Sequence, residues 1–140
     1  MPRVDADLVL KKIKMMRADL ANLKKFEKIT FSEYMADDLK RASIERFLEK
    51  ITGRMIDINY HILREEYEIL PDDYYGSFIQ MGKNKVITEE LAVEIAKSSG
   101  LRNALAHEYV KIDDQKVFNS IKTALVEIPQ YIRKVLEFLD

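Results

Sequence analysis

Ile44, Leu48, Ile51, Met55, Ile58 and Ile62 recur along the chain in steps of four and three residues. A strand returns a side chain to the same face every second residue, whereas a helix does so about every 3.6, so this run dictates a long amphipathic helix. An apolar stripe of that length needs partner faces, and the rest of the chain supplies them at the same period. Leu8, Ile13, Met16, Leu20 and Leu23 predict a first helix over 5–27. Thr30 or Ser32 caps the next segment, where Met35, Leu39 and Ala42 lead into the long stripe, and Pro71-Asp72-Asp73 closes that region. Tyr74 to Met81 reads as a short helix closed by Gly82, with Lys83-Asn84-Lys85 as a connector. Thr88 caps a helix from about residue 89, which Gly100 is expected to interrupt before Leu101 to Tyr109. Asp113 or Asp114 caps the last helix, whose Phe118, Ile121, Leu125, Ile128, Ile132, Val135 and Leu139 again step by three and four, with a kink expected at Pro129. No stretch alternates at period two. The expected architecture is therefore all-α: one domain over 1–140, an antiparallel up-down bundle of four main helices plus a short fifth.

Composition narrows the chemistry more than the fold. With no cysteine, thiolate metal sites, disulfides and cysteine nucleophiles are excluded, which suits a reducing compartment. No run of 18 apolar residues and no leader-like N-terminus is present, so the expectation is a cytoplasmic protein without a membrane span. The net charge of −1 leaves no bulk basic field for nucleic acid, so any RNA contact must be local. Lys11, Lys12 and Lys14, like Lys24, Lys25 and Lys28, read as solvated helix faces. Met15, Met16, Met35 and Met55 read as packing residues, and Gly53, inside the long helix at a cost of about 1 kcal/mol relative to Ala, marks either a close helix approach or simple tolerance.

Only two histidines are available. His61 follows Asp57 by four residues, on one side of the long helix; two such groups make no metal site, and a hydrogen bond between helices is the reading set against a supporting role in an active cleft. No metal and no cofactor is expected. His107 stands in Arg102-Asn103-Ala104-Leu105-Ala106-His107-Glu108-Tyr109, where a guanidinium, an amide, an imidazole and a phenol gather within two turns. At about 100° per residue, Arg102 and Tyr109 share a face, while His107 lies about 140° around from Arg102. For Arg102 and His107 to converge, a bend, the reach of the arginine or a second subunit must help.

The string Arg102-x4-His107-x-Tyr109 resembles the signature of HEPN ribonucleases in its HepT-like form. The resemblance extends to Ile44 through Ile62 and to Ile87 through Phe118, and in helix order to nearly the whole chain, with departures at Tyr60 and Gly100. It implies a toxin of a toxin–antitoxin module, a metal-independent endoribonuclease in which the ribose 2′-hydroxyl attacks the adjacent phosphate. His107 would then be the general base or acid and Arg102 the phosphate-binding cation, with Asn103, Tyr109 and, more distantly, Asp57 in support. It further implies a homodimer with both motifs facing one cleft, and a minimal nucleotidyltransferase antitoxin as partner, which attaches AMP to Tyr109. The alternative is a non-catalytic module of the same fold that docks a nucleotidyltransferase or a nucleotide. A purely structural helical dimer would leave the four clustered polar residues without a purpose.

Overall fold

A computed structural model describes residues 4–106 and 111–140, with 104–106 as backbone only. Its elements are α1 (Ala6–Lys24), α2 (Phe31–Ala36), α3 (Asp38–Tyr67), α4 (Tyr74–Lys83), α5 (Glu89–Ala96), α6 (Ser98–Ala106) and α7 (Asp114–Leu139). The all-α expectation holds, and no strand is present among the described residues.

Short polar side chains start nearly every helix. The carboxylates of Asp5, Asp37, Asp73 and Asp113 accept from the backbone N–H groups of Leu8, Lys40, Gly76 and Lys116, and Thr88 does the same for Leu91. Thr30 and Glu33 form a reciprocal capping box at α2. Each such cap satisfies a donor that the first turn leaves without a partner and stabilises its helix by about 1 kcal/mol.

Contacts between α1 and α3 show their relative direction. Asp5 meets His61, Lys12 meets Asp57, and Asp19 meets Lys50 and Arg54, so one helix rises as the other falls. Tyr131 against Asn59 and Tyr67 against Phe138 run in the same sense along α3 and α7, as two helices of an up-down bundle separated by a third should. Ile44, Leu48, Ile51, Met55, Ile58 and Ile62 are all buried and join Ile13, Met16, Leu23, Ile121, Ile128, Ile132 and Val135 in one core. Inside it, the Tyr131 hydroxyl donates to Asn59 Oδ1 at 2.6 Å while Asn59 Nδ2 donates to Ser77 Oγ at 3.1 Å, tying α7, α3 and α4 together through satisfied polar groups. Burial holds the Tyr131 phenol well above its ordinary pKa, in its neutral donor form.

Four sequence expectations need correction. The long helix does not begin at residue 30: Asp37 adopts an extended conformation and caps a fresh start, so Met35 and Leu39 fall off the stripe, and Leu39 is 78% exposed. In α1, Val9 and not Leu8 is the buried residue of the first turn. The break before the motif is at Lys97 and not Gly100, which lies within α6. There Ser98 and Ser99 donate their hydroxyls to the carbonyls of Ile95 and Ala96, offering the backbone an alternative to a continuous ladder. Finally, Gly82 does not close α4, which continues to Lys83. Its function is close approach: a Cβ there would stand 2.5 Å from Ala92 Cβ and 3.3 Å from Glu89 Cα on α5. Gly82→Ala is accordingly expected to destabilise the fold by about 1–3 kcal/mol, the range for overpacking a tight contact, against a gain in helix propensity of under about 1 kcal/mol. Urea unfolding followed by circular dichroism measures the balance, and a variant as stable as wild type would show that α4 and α5 can part at no cost.

Candidate active site

α6 carries Arg102 and Asn103 in its second turn and packs across the middle of α3. The contact point is Gly53: a side chain there would begin 3.5 Å from Arg102 Nε. What lies against the glycine inside the long helix is thus the guanidinium of Arg102, at ordinary van der Waals distance, and not the backbone of another helix. Arg102 is half-buried, Asn103 is exposed, and no carboxylate among the described residues lies within ion-pair distance of Arg102. His107 and Tyr109 lie outside the described residues.

The other cations of this part of α3 are already engaged. Asp19, on the buried side of α1, accepts from Arg54 Nη1 at 2.6 Å and pairs with Lys50 Nζ at 3.0 Å. A carboxylate only 8% exposed is costly to bury alone, and two cations compensate it. Sequence reasoning missed this cluster, though Asp19 interrupts the Met16, Leu20, Leu23 stripe and a charge on an apolar stripe signals a buried partner.

Asp57, one turn beyond Gly53 on α3, accepts from Lys12 Nζ at 3.2 Å and is largely exposed. His61 accepts the backbone N–H of Asp5 at 2.9 Å through Nε2, which holds the start of α1 against α3. That is the interhelical hydrogen bond read from the sequence, and it requires the ring proton on Nδ1. No cluster of three or more metal-binding side chains exists among the described residues.

A cleft opens where α5, α6 and α7 meet over Leu48, Thr52 and Met55 of α3. Leu101, Lys111, Ile112 and Asp113 line it, so it borders both ends of the motif segment. The exposed Lys97, Lys111 and Lys116 provide local positive charge in a chain without a net basic excess. Glu127 faces the same space, and burial, reinforced by nearby Glu94, raises its pKa above the usual carboxylate range. Glu94, which pairs with Lys97 at 3.1 Å, and Asp113 line the cleft as well, so Lys111 and Lys116 are the cations it offers an entering anion without such a pair among the described residues.

Residues 16–135 match the family model described as ribonuclease HepT-like. The chain is 37% identical over 139 residues to the tRNA nuclease HepT of Aphanizomenon flos-aquae, an alignment covering 99% of this chain and 95% of that protein. It is 28% identical over 101 residues to the mRNA nuclease HepT of Shewanella oneidensis, covering 72% of this chain and 76% of the other. Its fold is similar to that of the tri-AMPylated Shewanella oneidensis HEPN toxin solved in complex with its MNT antitoxin, with a TM-score of 0.83 at 24% identity, over 94% of this chain and 98% of that one. Among the described residues no helix is long and apolar enough to cross a membrane.

Proposed function

The chain belongs to the ribonuclease HepT-like family, and from that premise we propose that it is the toxin of a toxin–antitoxin pair, an endoribonuclease that cuts RNA without a metal ion. The observation that carries this is the near full-length match to a tRNA nuclease, in a chain that keeps Arg102, His107 and Tyr109 at motif spacing and holds Arg102 against the glycine of a packing helix.

The reaction is an in-line displacement at phosphorus. The ribose 2′-hydroxyl loses its proton and its oxygen attacks the adjacent phosphorus, the bond to the 5′-oxygen of the next nucleotide breaks, and that oxygen takes up a proton. The products are a 2′,3′-cyclic phosphate and a 5′-hydroxyl. His107 serves as the base that accepts the first proton or the acid that supplies the second, since an imidazole pKa near about 6.5 suits transfer in both directions at neutral pH. Arg102 pairs with the non-bridging oxygens, where charge accumulates, through donors fixed in one plane. Asn103 orients the imidazole or a phosphate oxygen, and Asp57 supports the site from the same side of α3 as Gly53. A homodimer that turns both motifs toward one cleft supplies the convergence of Arg102 and His107 that one helix does not. The structural relative is a tri-AMPylated toxin in complex with an MNT antitoxin, which supports the same class of partner here; the acceptor in this reading is Tyr109, at motif spacing from Arg102 and His107.

The name of the 37% identical relative makes tRNA the first substrate to test. Purified protein is expected to cleave tRNA in excess EDTA at the rate seen without it, and to leave 2′,3′-cyclic phosphate ends that resist phosphatase until opened by acid. Cleavage that EDTA abolishes, or 3′-hydroxyl ends, would replace this mechanism with a metal-dependent one. A protein that binds tRNA and leaves it intact would be the non-catalytic module.

A further inference from the structure

The geometry points to Gly53 as a positioning residue for Arg102: the bare backbone of α3 at this position is the seat on which the guanidinium rests, and a side chain there would move the phosphate-binding group. The inference rests on the reading of Arg102 as that group.

Gly53 is an unfavourable residue for its place. It lies in the interior of a helix that runs from Asp38 to Tyr67, flanked by Thr52 and Arg54, where Ala would be preferred by about 1 kcal/mol. Its conformation is ordinary right-handed helix with no positive φ, so no backbone demand explains a glycine. Nor does the fit of backbone against backbone, in contrast to Gly82, where a Cβ would collide with α5. Among the described residues, the one atom within reach of a Cβ at Gly53 is Arg102 Nε, at 3.5 Å. That is normal van der Waals contact, so a single methyl fits, whereas a branched side chain brings further atoms into the guanidinium's space. The neighbouring positions reinforce the arrangement. Arg54 and Lys50 are both drawn to Asp19, across the α1 contact, so neither is set over the glycine. Arg102 thus reaches its seat without a neighbouring cation competing for it.

The seat predicts a size-dependent effect that separates function from stability. In Gly53→Ala, the gain in helix propensity should raise the melting temperature by a few degrees, while kcat/KM for tRNA stays within about threefold of wild type. In Gly53→Leu, the branched side chain displaces the guanidinium and kcat/KM should fall by at least about tenfold, approaching the loss in Arg102→Ala, with a melting temperature no lower than that of wild type. Gly53→Glu tests the same seat differently: its carboxylate can pair with Arg102 and compete with the substrate phosphate, so cleavage should fall further than in Gly53→Gln, which has the same size without the charge. This variant also decides the matter if Gly53→Leu does not fold, because a long flexible side chain can leave the helix interface. Combining Gly53→Leu with Arg102→Ala should cost no more than Arg102→Ala alone, as expected of two changes acting through one group. Leu and Glu variants that both cut within threefold of wild type, while Arg102→Ala is inactive, would overturn the seat and leave the role of Arg102 standing. Full activity in Arg102→Ala would overturn both.

Discussion

His107→Ala is expected to lower tRNA cleavage by about 10²- to 10⁴-fold, the usual contribution of a general acid or base, and to leave the unfolding transition unchanged. The two halves of the expectation have different sources. The loss follows from the inventory: with two histidines and no cysteine in the chain, and with His61 committed to the backbone N–H of Asp5, His107 is the imidazole left to transfer protons. The unchanged stability is the expectation for an imidazole that supplies proton transfer to a cleft and not volume to a core. The companion variant His61→Ala should behave in the opposite way. It removes the acceptor for the Asp5 N–H, so it should loosen the start of α1 and lower stability by about 1 kcal/mol, with the cleavage rate of the folded protein preserved. Single-turnover cleavage and thermal melting of the pair distinguish the roles. A His107→Ala protein that cuts at the wild-type rate would remove this residue from the mechanism.

Most of the fold was legible because the signals were local and agreed with each other. Caps at Thr30, Thr88 and Asp113 stand directly before the stretches they start, and the α3 stripe from Ile44 to Ile62 is buried at every position. The errors fall where two local readings competed. The apolar residues either side of Asp37 fit one stripe, which hides its role as a cap. Gly82 and Gly100 look like punctuation in the sequence, although the first is a packing contact and the second lies inside α6 on the wall of the cleft. The candidate site was legible differently. Arg102 and His107 could be picked out by residue type and spacing, but the role of Gly53 could not, since it depends on which helix crosses α3 and at what height. Asp19 lay between these cases: its place on an apolar stripe announced a partner, and only the fold identified Lys50 and Arg54.

Tyr109→Phe should convert a toxin that its antitoxin can silence into one that it cannot. Tyr109 follows Arg102 by seven residues, so an adenylyl group on its oxygen would carry a phosphodiester charge into the neighbourhood of the guanidinium. In that reading Arg102 would pair as readily with that phosphate as with RNA, so the modified site would be occupied and would repel a second anion. The net charge of −1 strengthens the effect, because no surrounding basic field offsets an added negative group. Phenylalanine keeps the ring and loses only the oxygen to which AMP is joined, so the variant should fold and cut tRNA as wild type does. Co-expressed with a nucleotidyltransferase antitoxin, wild-type protein should permit growth and gain adenylyl increments in intact mass. The Phe variant should stop growth under the same conditions and gain none. If the antitoxin rescues growth with both proteins and neither gains mass, silencing is by docking alone and Tyr109 is not the switch. If the Phe variant fails to cleave RNA when expressed by itself, the hydroxyl belongs to the catalytic apparatus, and the modification silences the toxin by consuming one of its own reacting groups.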